Sequence, residues 1–104
     1  FSLKNISLFQ AAPMERPVQR IAVCPGSGRS MLDAVIRSRA EVFLTGDIGH
    51  HEGIDCMDMG ITVIDAGHFG LEKIFIPVMA EKLSREFPEL EIFTAKPAAP
   101  FRVY

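Results

Sequence analysis

The sequence predicts an α/β domain, a mainly parallel or mixed sheet with flanking helices. Three short apolar runs rich in β-branched residues alternate with stretches that carry helical stripes. Each chemically unusual loop directly follows one of those runs. In open α/β sheets, ligands gather at the carboxyl ends of strands, so this placement points to one shared site.

The elements follow in order. Residues 1–17 read as an entry segment that ends in a proline-punctuated stretch, with a short strand around residues 7–10. Residues 18–24 are a compact apolar run bounded by Pro25-Gly26, which suits a strand. Residues 30–39 place Met31, Leu32, Val35 and Ile36 on the stripe of a helix. Ser30 suits the N-cap there, with Asp33 three residues on. Residues 41–45 form a second strand ending at Gly46, and residues 51–59 a short helix terminated by Gly60. Residues 61–65 are a third strand, favoured by their β-branched content.

A long helical stretch is expected over residues 69–86, with Leu71, Ile74, Phe75, Val78, Met79 and Leu83 on its apolar face. Pro77 lies inside it and should kink the helix or mark a restart. Residues 90–94 read as a final strand before a short tail. Right-handed crossovers would join the strands, and residues 18–104 make a single domain. No internal repeat is visible.

Composition narrows the function classes. Apolar residues make up 48% and charged residues 23%, an ordinary globular balance. A net charge of −2 and a pI near 5.9 remove the electrostatic case for nucleic acid or an anionic membrane. No apolar run approaches the roughly 18 residues of a membrane span. Cys24 and Cys56 do not form a metal-type spacing and read as small core residues. So few cysteines suit a reduced, cytoplasmic setting. The chain opens on Phe1 without the apolar core of a signal peptide and reads as a piece of a longer protein.

The richest motif is Asp65-Ala66-Gly67-His68-Phe69-Gly70-Leu71-Glu72, where a strand hands over to a helix. His68 and Glu72 are four residues apart and share a helix face, a spacing that lets an imidazole and a carboxylate grip one divalent ion such as zinc, manganese or iron. The alternative is a helix-start histidine with Glu72 near the positive end of the helix dipole. Thr45-Gly46-Asp47-Ile48-Gly49-His50-His51-Glu52 concentrates titratable groups on a second loop, suited to metal ligation or acid–base work. There the alternative gives Asp47 a helix-capping job and leaves the histidines solvated. Gly26-Ser27-Gly28-Arg29-Ser30 is either an anion cradle at a helix start or a tight turn that needs glycine. It lacks the lysine of a P-loop and the third glycine of a dinucleotide fingerprint.

Three segments together, residues 21–28, Thr45-Gly46-Asp47 with His51, and residues 65–68 with Glu72, resemble the Nif-three-like proteins, also called GTP cyclohydrolase I type 2 homologues. The resemblance covers roughly residues 18–103, Pro100-Phe101 included. It implies an α/β fold of two similar halves, a homo-oligomer that is often a ring-like hexamer built from dimers, and a site for two divalent metal ions. This chain corresponds to the C-terminal half. By resemblance, His68 and Glu72 are metal ligands, and Thr45 and His51 line the same cleft, orienting substrate or shuttling protons. His50 has no clear counterpart, and Gly26, Ser27 and Gly28 would hold an anion. The family's N-terminal half supplies a His-His pair and an aspartate that nothing here matches, so the chain alone should bind metal weakly. Two readings follow: a metal-dependent hydrolase of a phosphate-bearing or nucleotide-like substrate, or a non-catalytic metal-dependent binding or assembly module.

Overall fold

The computed structural model describes residues 3, 5–11, 13, 15 and 17–101. Among these, the chain order is β1 (Ser7–Phe9), β2 (Ile21–Val23), a 3-10 turn (Arg29–Met31) running into α1 (Leu32–Arg37), β3 (Val42–Thr45), α2 (His50–Asp58), β4 (Thr62–Asp65), α3 (His68–Glu72) and α4 (Phe75–Glu86). The strands form one mixed sheet in the order β1-β4-β3-β2. β2, β3 and β4 are parallel, and β1 adds antiparallel to β4.

Register decides what each sheet face carries. Ala22, Phe43, Val63 and Phe9 align across the four strands and point to one face. There they pack with Val35 of α1 and Cys56 of α2, together with Ala40, Ile48 and Ile61. Phe43 and Val63 are wholly buried. Both crossover helices therefore lie on the same side, as two successive right-handed βαβ units require. Gly53 of α2 sits against the Phe9 ring, where a larger residue would collide. One residue out of phase, Val23, Leu44, Ile64 and Leu8 form a second apolar row on the opposite face. Its ends are open, with Val23 58% and Leu8 46% exposed.

The expected elements at residues 7–10, 18–24, 41–45 and 61–65 are present, trimmed at their ends, and the helix expected at 51–59 runs one residue earlier, His50–Asp58. Gly60, at φ 79°, ends α2 in the left-handed conformation that glycine allows. Two expectations are corrected, and the restart expected from Pro77 is present. Ser30 does not cap α1, because the chain turns at Gly28 (φ 58°) into the 3-10 turn and Met31 takes the cap position. The helical stretch over residues 69–86 is two helices, α3 and α4, separated at Lys73 and Ile74. Pro77 explains that break: its ring would strike the carbonyl four residues back, on Lys73, while its missing N–H costs nothing in the first turn of α4. Residues 90–94 form no strand. They follow α4 back, so that Ile92 and Phe93 border an apolar hollow with Ile76, Met79 and Leu83.

Cys56 is a core thiol. Burial first, then the nearby charges of Asp55 and Glu52, push it up from the ordinary cysteine value, which makes it a poor nucleophile. Two outcomes follow. An alkylating reagent applied to the folded protein modifies the half-buried Cys24 and spares Cys56, read by peptide mass spectrometry. Phe43→Ala, which empties the centre of the sheet, lowers stability by about 3–5 kcal/mol in urea unfolding.

Candidate metal half-site at the strand ends

Three loops leave the carboxyl ends of β2, β3 and β4 and meet backbone to backbone. The Gly26 carbonyl accepts the Gly46 N–H at 2.8 Å and the buried Thr45 hydroxyl at 3.0 Å. The Ala66 N–H donates to the Thr45 carbonyl at 2.8 Å. A Cβ at Gly46 would lie 2.6 Å from the Gly67 carbonyl carbon, and one at Gly28 would collide with the Thr45 hydroxyl. Glycine at 28 and 46 is therefore a packing requirement.

Asp65, the last residue of β4, ties two of these loops together. Its Oδ1 accepts the N–H groups of Asp47 and Gly67, both at 2.8 Å. Its Oδ2 accepts the Ile48 N–H at 3.0 Å. The bond to Gly67, two residues on, is an Asx turn. The bonds to Asp47 and Ile48 reach across to the loop after β3 and hold Asp47 at φ 56°.

On this platform stand Asp47, His68 and Glu72, each about half exposed. His68 opens α3 after Gly67, whose φ of 68° turns the chain into the helix. Its Nδ1 lies 3.0 Å from Asp47 Oδ2, and its Nε2 lies 3.2 Å from Glu72 Oε1 one turn along. The imidazole rests over Gly26, where a Cβ would come within 3.2 Å of Nε2 and 3.6 Å of Glu72 Oε1. A neutral imidazole carries one N–H, so it can satisfy only one of two flanking carboxylates. With the proton shared with Asp47, the Nε2 lone pair and the Glu72 carboxylate face one another as two acceptors. A proton or a metal cation between them resolves that opposition.

The other sequence candidates divide around this centre. Thr45 is wholly buried, and its hydroxyl holds the Gly26 loop. Gly26 and Gly28 are buried beneath the site, with Ser27 exposed. Arg29, from the same loop, pairs with Glu52 of α2 at 2.8 Å, which balances the charge it would bring to an anion. His50 and His51 stand on the first turn of α2, ring centroids 5.7 Å apart, and His50 also lies edge-on to Phe9. The structure thus joins His68 and Glu72 directly, adds Asp47, and leaves His51 on the neighbouring helix start. Asp47 does not cap α2; that position is Gly49. The sequence reading gave Asp65 no role. A carboxylate closing a strand, followed two residues later by glycine, is the signal that could have marked it.

Among the described residues, no group of three or more histidine, cysteine, aspartate or glutamate side chains is arranged to hold a metal ion. His68 and Glu72 nonetheless fit one as a pair, since imidazole nitrogen with carboxylate oxygen suits a divalent first-row cation. Two such ligands would make half a site.

Asp65→Asn keeps the shape but removes the charge and one acceptor oxygen. It should cost about 1.5–3 kcal/mol and speed amide hydrogen exchange at Asp47, Ile48 and Gly67, while Phe43 and Val63 stay protected.

Comparison with known proteins identifies the family and the fold. A family model described as Duf34/NIF3 (NGG1p interacting factor 3) matches residues 1–100. The GTP cyclohydrolase 1 type 2 homolog of Streptococcus pneumoniae is 35% identical over 87 residues, which is 82% of this chain and 32% of that protein. NIF3-like protein 1 of Rattus norvegicus is 39% identical over 79 residues, 76% of this chain and 20% of that one. The chain therefore spans about a third or less of the length of these relatives. Among solved structures, reduced HcgD from Methanocaldococcus jannaschii superposes with a TM-score of 0.67 at 29% identity, covering 81% of this chain and 34% of that one. Hypothetical protein SA1388 of Staphylococcus aureus shares the fold, with a TM-score of 0.75 over 98% of this chain and 35% of its own, at 22% identity. The chain belongs to the Duf34/NIF3 (NGG1p interacting factor 3) family.

Proposed function

We propose that this chain contributes His68 and Glu72 to a divalent-metal centre, whose remaining ligands come from beyond these residues. The complete centre would be dinuclear and would serve hydrolysis of a phosphate-bearing or nucleotide-like substrate. One observation carries the metal reading. His68 Nε2 faces Glu72 Oε1 at 3.2 Å, while Asp47 engages the other ring nitrogen. The hydrolytic reading is supported by relatives that bear the name GTP cyclohydrolase 1 type 2 homolog.

Bound divalent cations would supply Lewis acidity and acidify a water molecule. The chain's own residues do the rest. His68 and Glu72 hold the centre at a strand-end platform that glycine backbones keep low. His51, exposed at the start of α2, would move a proton at the rim. Thr45 keeps the Gly26 loop in place through its hydroxyl, and the exposed Ser27 would approach an anionic group of the substrate. A second reading, a non-catalytic metal-dependent binding module, is favoured by the apolar surface beside Glu72, where Phe75 and Val78 are 60% and 61% exposed.

Elemental analysis of the full-length protein, purified without chelator, tests the metal reading. Stoichiometric metal in the wild type, lost in His68→Ala and in Glu72→Gln, is the expected result. Metal that survives both substitutions overturns it. Turnover of phosphate esters or nucleotides that disappears in His68→Ala selects the hydrolase. Retained metal with no turnover across those substrates selects the binding module.

A further inference from the structure

We propose that Asp47 is the positioning carboxylate of the His68 ligand. By accepting a hydrogen bond from the Nδ1–H it fixes the ring's tautomer and rotation, so that Nε2 is presented bare on the Glu72 side. This rests on the reading of His68 and Glu72 as metal ligands.

The two carboxylates approach different ring nitrogens: Asp47 Oδ2 lies 3.0 Å from Nδ1, and Glu72 Oε1 lies 3.2 Å from Nε2. Those nitrogens point away from one another across the ring, so the groups have separate tasks. Glu72 is on the face where a cation would lie, and Asp47 is behind the ring. A carboxylate behind a ligating imidazole selects the tautomer and raises the basicity of the far nitrogen.

What separates Asp47 from an ordinary surface carboxylate is how firmly it is aimed. Its backbone is held in the left-handed region at φ 56°, which only a few non-glycine residues tolerate, Asp and Asn foremost. Its N–H is anchored on Asp65 Oδ1, and the next amide, of Ile48, on Oδ2. The same Asp65 Oδ1 takes the Gly67 N–H immediately before His68. One buried-side carboxylate therefore sets both ends of the Asp47–His68 contact. Gly26 leaves the ring a flat seat without a side chain to tilt it. Nothing in the sequence motif alone distinguishes Asp47 as partner of His68, since the two lie 21 residues apart.

The test measures zinc affinity by competition with a chromophoric chelator, on the protein in its native assembly. The chains compared are wild type, Asp47→Asn, Asp47→Ala and His68→Ala. In parallel, nitrogen NMR of 15N-histidine-labelled, metal-free protein at alkaline pH reads which ring nitrogen of His68 carries the proton. Wild-type His68 should be protonated at Nδ1. Asp47→Ala should weaken zinc binding by about 10- to 100-fold and move the ring toward the Nε2–H form. Asp47→Asn tolerates the left-handed backbone and guards against misfolding; it should weaken binding less, with the same direction of change. Wild-type His68 protonated at Nε2 overturns the proposal. So does unchanged zinc affinity in both Asp47 variants when His68→Ala has lost it. If the wild type binds no zinc, the ligand reading fails by itself, and the metal-free tautomer still decides the role of Asp47.

Discussion

The candidate site depends on one carboxylate that touches no ligand. Asp65 ends β4 in register with Thr45 of β3 and accepts three backbone N–H groups from two loops. Hydrogen bonds to an ionised acceptor are roughly twice as strong as neutral ones. They also satisfy amides that neither sheet nor helix would otherwise pair. Without Asp65, the loop after β3 has no reason to keep Asp47 in a left-handed conformation, and the entry to α3 loses a hydrogen bond at Gly67. The strands bring the loops to one end of the sheet; Asp65 converts that proximity into a defined arrangement of side chains.

Glycine makes the arrangement possible at this distance. At Gly46 and Gly28 the neighbouring chain lies where a Cβ would be, so the loops touch through backbone. Gly26 does the same for the imidazole above it. The result is a low platform carrying His68 between two carboxylates, with Asp65 beneath. Such a concentration of negative charge around one imidazole attracts a cation. The nearby Arg29 is turned to Glu52 rather than into the cluster.

The sheet is covered unequally. α1 and α2 both lie on the face that buries Phe43 and Val63, whereas the row from Val23 to Leu8 is open at its ends. Parallel sheets are ordinarily covered on both faces. α4 likewise leaves Phe75 and Val78 largely exposed, next to Glu72. These apolar surfaces flank the His68–Glu72 pair in a chain that spans about a third of its relatives' length.

The sequence by itself determined the α/β class, the strand and helix order up to β4, and the pairing of His68 with Glu72. Each of these depends on periodicity or on spacing within one element, which the chain carries locally. Only the tertiary structure decided the rest. Pro77 marked a kink or restart in the sequence, and the structure placed the break at Lys73 and Ile74. Residues 90–94 have strand-like composition but join no sheet among the described residues, and pairing is a property of two segments. Thr45 reads as a loop hydroxyl and proves to be a buried tie to Gly26. Asp47 and Asp65 acquire their roles across 18 to 21 residues, through bonds that form only when parallel strands carry their loops to the same end of the sheet.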